Sequence, residues 1–151
     1  MNWKIIIIGG IAYYVSQFIL SFITGPLLHE GLLDPLYQAN SQFWRPELNQ
    51  DPPDMAALLP RWIATGLIAS FIHAGIYGQI RGAFTGASWQ KGLKFGVVVF
   101  LIYATVSVGW SGIFNLPDAI WGWWIAEGLL YYLLGGAVLG WVAQKVAPEG
   151  G

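Results

Sequence analysis

Cysteine is absent from all 151 residues. Disulfides, thiolate metal centres, thioether haem attachment and cysteine nucleophiles are therefore excluded within this chain. Charge is scarce too: Asp, Glu, Lys and Arg supply only 10% of the residues, against roughly a quarter in ordinary soluble domains. Seven basic and eight acidic side chains nearly cancel, leaving a net charge of -1 and a pI near 6.0. No cluster of Lys and Arg supplies the field that attracts phosphate backbones, so nucleic acid is not an expected partner. A glycine-rich phosphate loop, a nucleophile elbow and paired zinc histidines are missing as well. No catalytic set is legible, and no cofactor is identified.

What the chain has is apolar surface, at 56% of its residues. A soluble domain of this size has one buried core, which cannot absorb several apolar runs of about 20 residues each. Four such runs fall at about 5–24, 58–80, 95–114 and 119–143. The expected fold is all-α: a single membrane domain, 1–151, in which four transmembrane helices form a bundle with the lipid bilayer as partner. The first run lacks a well-placed small-x-small cleavage signal and is read as a retained span rather than a signal peptide.

With four spans, the N-terminus, the 79–94 loop and the C-terminus share one side. That side holds Lys4, Arg81, Lys91, Lys94 and Lys145, whereas the other holds only Arg45 and Arg61. The positive-inside rule places both termini in the cytoplasm. Arg81, Lys91 and Lys94 are then positioned to meet anionic headgroups. Most of the nine tryptophans fall near span ends, as in an interfacial aromatic belt.

The one sizeable loop, 25–57, follows the Gly25-Pro26 pair and is acidic. Asp34-Pro35 reads as an N-cap followed by proline at the first helical position, so a short interfacial helix, lying on the outer membrane surface or capping the bundle, is predicted from Pro35 until Pro46 ends the run. Asp54 is a second predicted N-cap, before span two, with Pro60 early in that helix. The final hairpin turns through Asn115-Leu116-Pro117-Asp118. The Pro-Glu-Gly-Gly tail is expected to fray.

Two features inside the spans invite a functional reading. Gly66, Ser70, Ala74, Gly78 and Gly82 recur at intervals of four and mark a narrow groove for close helix packing, within the chain or against a partner; Gly136 and Gly140 repeat the pattern in span four. His73 and Glu127 are ionisable groups at membrane depth. His73 is expected to hydrogen-bond Ser107, Thr105 or Tyr103, with a proton relay or axial tetrapyrrole ligation as the sharper alternatives. Glu127 must be protonated or paired, and Arg61 is its nearest cation by depth. The ligand or proton-site candidates are thus His73, Glu127, Tyr103 and Arg61. His29-Glu30 lacks a spaced third ligand and reads as solvated loop rather than a metal site.

Three segments carry a resemblance. His29-Glu30-Gly31-Leu32-Leu33, Tyr37 with Phe43-Trp44-Arg45-Pro46-Glu47, and Trp89-Gln90-Lys91-Gly92-Leu93-Lys94-Phe95-Gly96 are similar to a family of small uncharacterised bacterial four-helix membrane proteins. The resemblance implies four spans in a bacterial inner membrane and supplies no activity. The first functional expectation is a non-catalytic accessory subunit of a larger membrane complex, with membrane-protein subunits or a second copy as partner. The alternative is a small carrier or ligand-binding protein using His73 and Glu127.

Overall fold

The computed structural model describes residues 2–149; Met1, Gly150 and Gly151, the last two in the tail expected to fray, lie outside the described residues. Helices make up most of that stretch, with no strand among the described residues. Five helices follow in order: α1 (Ile5–Leu32), α2 (Asp34–Ala39), α3 (Met55–Ile80), α4 (Ser88–Ser111) and α5 (Asp118–Val146). Short 3-10 turns occupy Ser41–Phe43, Pro46–Asn49 and Arg81–Ala83.

The four long helices are apolar enough to cross a membrane. The shortest, α4, has 24 residues, about 36 Å at 1.5 Å per residue, against roughly 30 Å of hydrocarbon. Their outward faces carry large apolar side chains, among them Ile68, Ile72 and Ile76 on α3 and Leu101, Ile102 and Val106 on α4, all about half exposed. A surface that greasy is matched to lipid rather than water. The chain has the four long apolar helices of a multi-pass membrane protein.

The spans run longer than the sequence reading drew them. The largest change is in α1, expected to stop near Gly25-Pro26. Pro26 has no N–H to offer the Phe22 carbonyl, and its ring would press on that carbonyl in ordinary α winding. The helix widens instead into π winding over Gly25–Leu32 and closes with the Leu33 N–H donating to the Leu28 carbonyl at 2.8 Å. Two further turns of α1 are gained, and His29 lies within them.

Between α1 and α3, a short helix starts near Pro35 as expected but ends at Ala39, with a separate 3-10 turn at Ser41–Phe43, instead of running on to Pro46; Asp34 is its first residue rather than its cap, and Leu33 holds the cap position. Asp34 instead accepts a bond from Gln38 one turn on, at 3.4 Å. Asp54 does cap α3, its carboxylate accepting from the Ala57 N–H at 3.1 Å. Helix α4 begins at Ser88, which draws Lys91 and Lys94 into its first two turns.

Glycine sets how closely the helices approach. An added Cβ on Gly92 would stand 2.8 Å from the Gly140 Cα, and one on Gly136 would stand 3.0 Å from the Gly96 Cα. Backbone thus lies on backbone where α4 crosses α5. In the α3 ladder, Gly66 lies under the Tyr14 ring and Gly78 beside Ile5, both from α1, while Ser70 and Ala74 are buried. Gly82 sits in the following 3-10 turn with open space around it. Where α3 and α4 stand too far apart for such contact, rings bridge them, as between Tyr77 and Phe95 at 5.4 Å.

At the end shared by both termini, the Arg81 guanidinium donates to the Ala147 carbonyl at 2.7 Å and the Ala143 carbonyl at 3.4 Å. A cation there faces the negative end of the α5 dipole. Arg81 and Lys91 also meet Glu149, and Lys94 donates to the Thr85 carbonyl at 2.8 Å. The basic groups expected to meet headgroups are instead engaged within the protein.

Candidate functional site

Glu127 lies nine residues into α5, about 13 Å from its start at 1.5 Å per residue. At that depth a lone carboxylate is costly and needs donors. The π turn of α1 supplies one: His29 Nε2 stands 3.0 Å from Glu127 Oε2. Tyr131, one turn along α5, donates its hydroxyl to the other oxygen, Oε1, at 3.0 Å. The Thr24 hydroxyl sits 2.7 Å from the Tyr131 oxygen. Since Tyr131 spends its proton on Glu127, Thr24 is the donor to Tyr131.

The network continues outward. His29 Nδ1 lies 2.7 Å from the Tyr37 hydroxyl of α2, which also accepts the Trp124 indole N–H at 2.8 Å. The Trp44 indole donates to the Tyr37 carbonyl at 2.8 Å, and its ring packs edge-on to Tyr37 and Trp124. The Tyr37 ring stacks on His29 with 5.9 Å between centroids and 15° between planes. Burial pushes the Tyr37 phenol above its ordinary pKa, so it remains a neutral hydroxyl able to donate or accept. Helix α2 and the turn after it form a lid of rings over a polar chain running Trp124, Tyr37, His29, Glu127, Tyr131, Thr24.

Beside this chain a cleft of about 380 Å³ opens between α1, α3 and α5, within the range of roughly 300–1,000 Å³ typical of small-molecule sites. Its walls include Tyr14, Trp62, Tyr103 and Trp124, with Gln17 and Ser21 as neutral polar groups. Among the described residues, Glu127 is the one acidic or basic residue lining it. The carboxylate is 9% exposed and His29 36% exposed, so the imidazole is the more accessible end of the pair.

The four sequence candidates disperse. Glu127 and Tyr103 reach the cleft, with the Tyr103 hydroxyl donating to the Trp124 carbonyl at 3.2 Å. Arg61 does not pair with Glu127: the longer α1 brings His29 there first, and Arg61 is exposed beyond the cleft, with its charge felt at Glu47. His73 makes none of the expected bonds to Ser107, Thr105 or Tyr103. It packs edge-on to Tyr13, Phe95 and Tyr132, at 5.5, 6.5 and 6.1 Å, and its Nδ1 is buried without a hydrogen-bond partner. A tetrapyrrole plane at His73 would have to displace those rings. Among the described residues no three His, Asp or Glu side chains converge as a metal site.

Sequence reasoning missed His29, Tyr37, Trp44, Trp124, Tyr131 and Thr24. His29 was assigned to loop, and Trp124 and Trp44 to an aromatic belt. One signal was available: Trp124, Glu127 and Tyr131 recur at i, i+3 and i+7, one face of a helix. No protein-family model, curated protein or solved structure matches this chain.

Proposed function

We propose that this protein is a small membrane ligand-binding protein or carrier that takes its ligand into the cleft beside Glu127. The observation that carries the reading is a shielded carboxylate held by His29 and Tyr131 on the wall of an aromatic-lined cleft. Intramembrane carboxylates that face a cavity are costly to stability and are retained for binding or proton traffic. The ring lid of α2 and Trp44, at the membrane interface, covers the site on the side away from the termini. The distribution of Lys4, Arg81, Lys91, Lys94 and Lys145 supports cytoplasmic termini, and we place the chain in a bacterial inner membrane on the resemblance described above. An accessory-subunit role rests on the small-residue grooves, the small loops and the lack of a legible catalytic set; of these, α1 of the same chain fills the α3 groove from Gly66 to Gly78.

The reading is tested by titrating the purified protein in detergent micelles with benzyltrimethylammonium and with its uncharged carbon isostere, neopentylbenzene, following quenching of tryptophan fluorescence at Trp62 and Trp124. Saturable binding of either probe, abolished by the cleft-filling substitution Ile63→Trp, is expected. Binding of neither probe, or binding indifferent to Ile63→Trp, overturns the reading.

A further inference from the structure

Resting on the cleft reading, we infer that the ligand is a lipophilic organic cation, and that it enters in exchange for a proton held by His29. The argument is charge balance in a poorly solvated site. Glu127 is the one acidic or basic residue lining the cleft, and an ionised carboxylate at this depth demands a compensating positive charge nearby. The chain offers one source of it. His29, protonated, places a cation 3.0 Å from Glu127. The other polar groups of the cleft wall and of the hydrogen-bonded chain are neutral: Tyr131, Tyr132 and Trp124 on α5, Tyr103 on α4, Tyr14, Gln17, Ser21 and Thr24 on α1, and Tyr37 on α2; Glu30, next to His29 on α1, is exposed and outside the cleft wall. Helix α3 contributes Leu59, Trp62 and Ile63 to the wall and no titratable group, and Arg61 stands outside it.

The geometry at Tyr37 supports both states of His29. The Tyr37 oxygen already accepts the Trp124 N–H, and its own hydroxyl proton is free to turn. With His29 protonated, Nδ1–H donates to the second lone pair of Tyr37. With His29 neutral, the Tyr37 hydroxyl rotates and donates to Nδ1, which keeps the remaining imidazole proton on Nε2 and aimed at Glu127. Rotation of one hydroxyl therefore accompanies loss of one proton, with the hydrogen bonds retained in number. The proton leaves through His29, the exposed partner.

A cation in the cleft supplies the compensating charge in place of that proton. The tyrosine and tryptophan rings of the wall suit it, because their faces attract cations and most strongly when water is excluded. An anionic ligand would meet Glu127 unscreened, and a neutral one would leave the charge balance as it was. The exchange is balanced: one monovalent cation enters, one proton goes to solvent, and the site's net charge is unchanged.

The test is calorimetric titration of the full chain in micelles with benzyltrimethylammonium, which has no proton of its own to lose, in two buffers of different ionisation enthalpy. Release of roughly one proton per bound cation is expected, with affinity rising by up to about tenfold per pH unit wherever that release is complete. In His29→Gln, cation binding is expected to lose its proton release and its pH dependence together; Glu127→Gln is expected to lose the cation. Proton counting on the unaltered chain stands whether or not Glu127→Gln folds. Cation binding without proton release overturns the exchange. Binding of neopentylbenzene but not of the cation overturns the ligand class and leaves the cleft reading intact, whereas binding of neither removes both.

Discussion

His29 and Glu127 meet at 3.0 Å across 98 residues of sequence, one from the π-wound end of α1 and the other from two turns inside α5. The contact ties the first and last spans together in the half of the bundle away from the termini. Because His29 is partly exposed, the pair is worth less than a fully buried one, whose disruption costs about 3–5 kcal/mol. A double-mutant cycle with His29→Ala and Glu127→Gln is expected to give a coupling of about 1–2 kcal/mol in reversible unfolding followed by circular dichroism. Additivity of the two single changes would show that the contact contributes nothing in the membrane mimic.

Tyr37 joins His29 and Trp124 through a single hydroxyl. Tyr37→Phe keeps the ring stacked on His29 and removes both bonds, leaving the Trp124 N–H without a partner. A loss of about 1–3 kcal/mol is expected, with a change in the Trp124 emission maximum. An unchanged melting temperature and spectrum would contradict the lid arrangement.

His73 is the opposite case. Its Nδ1 is buried with no hydrogen-bond partner among the rings of Tyr13, Phe95 and Tyr132. Replacing it by an apolar ring of similar shape removes an unsatisfied group, so His73→Phe is expected to be neutral or stabilising by about 1 kcal/mol. Such a variant is also expected to bind as the unaltered protein does. A loss of binding would put His73 in the site after all.

The α4–α5 crossing depends on glycine in a way the turn after α3 does not. Gly96→Val drives side-chain atoms into the Tyr132–Leu133 backbone and is expected to cost more than about 3 kcal/mol, above the usual range for overpacking, because backbone cannot yield as a side chain can. Gly82→Ala meets open space and is expected to stay within about 0.5 kcal/mol. Thermal unfolding of the two variants in one detergent compares them directly.

Local sequence signals carried the architecture. Four apolar runs, the short helix after Asp34-Pro35 and the Asp54 cap are local features, and each was legible from neighbouring residues. The site was not, because it depends on one helix continuing past a proline. Pro26 ordinarily signals an end, and only the switch to i→i+5 bonding carries His29 onto the α5 face. With His29 in a loop, Arg61 is the nearest cation to Glu127 by depth. His73 drew attention by lying deep, yet depth does not reveal whether a side chain faces a cleft or a nest of rings. The i, i+3, i+7 recurrence of Trp124, Glu127 and Tyr131 was the stronger clue.

Photolabelling tests the central claim, that the cleft beside Glu127 is where this protein takes a ligand. The purified protein would be irradiated with 4-azidobenzyltrimethylammonium and with an uncharged aryl azide, each with and without excess unlabelled competitor, and the modified residues located by mass spectrometry. Competitor-sensitive labelling at cleft residues such as Ser21, Ile63 and Tyr131 is the expected result. Labelling confined to outward residues such as Ile68, Ile72 and Ile76, and insensitive to competitor, would contradict the account.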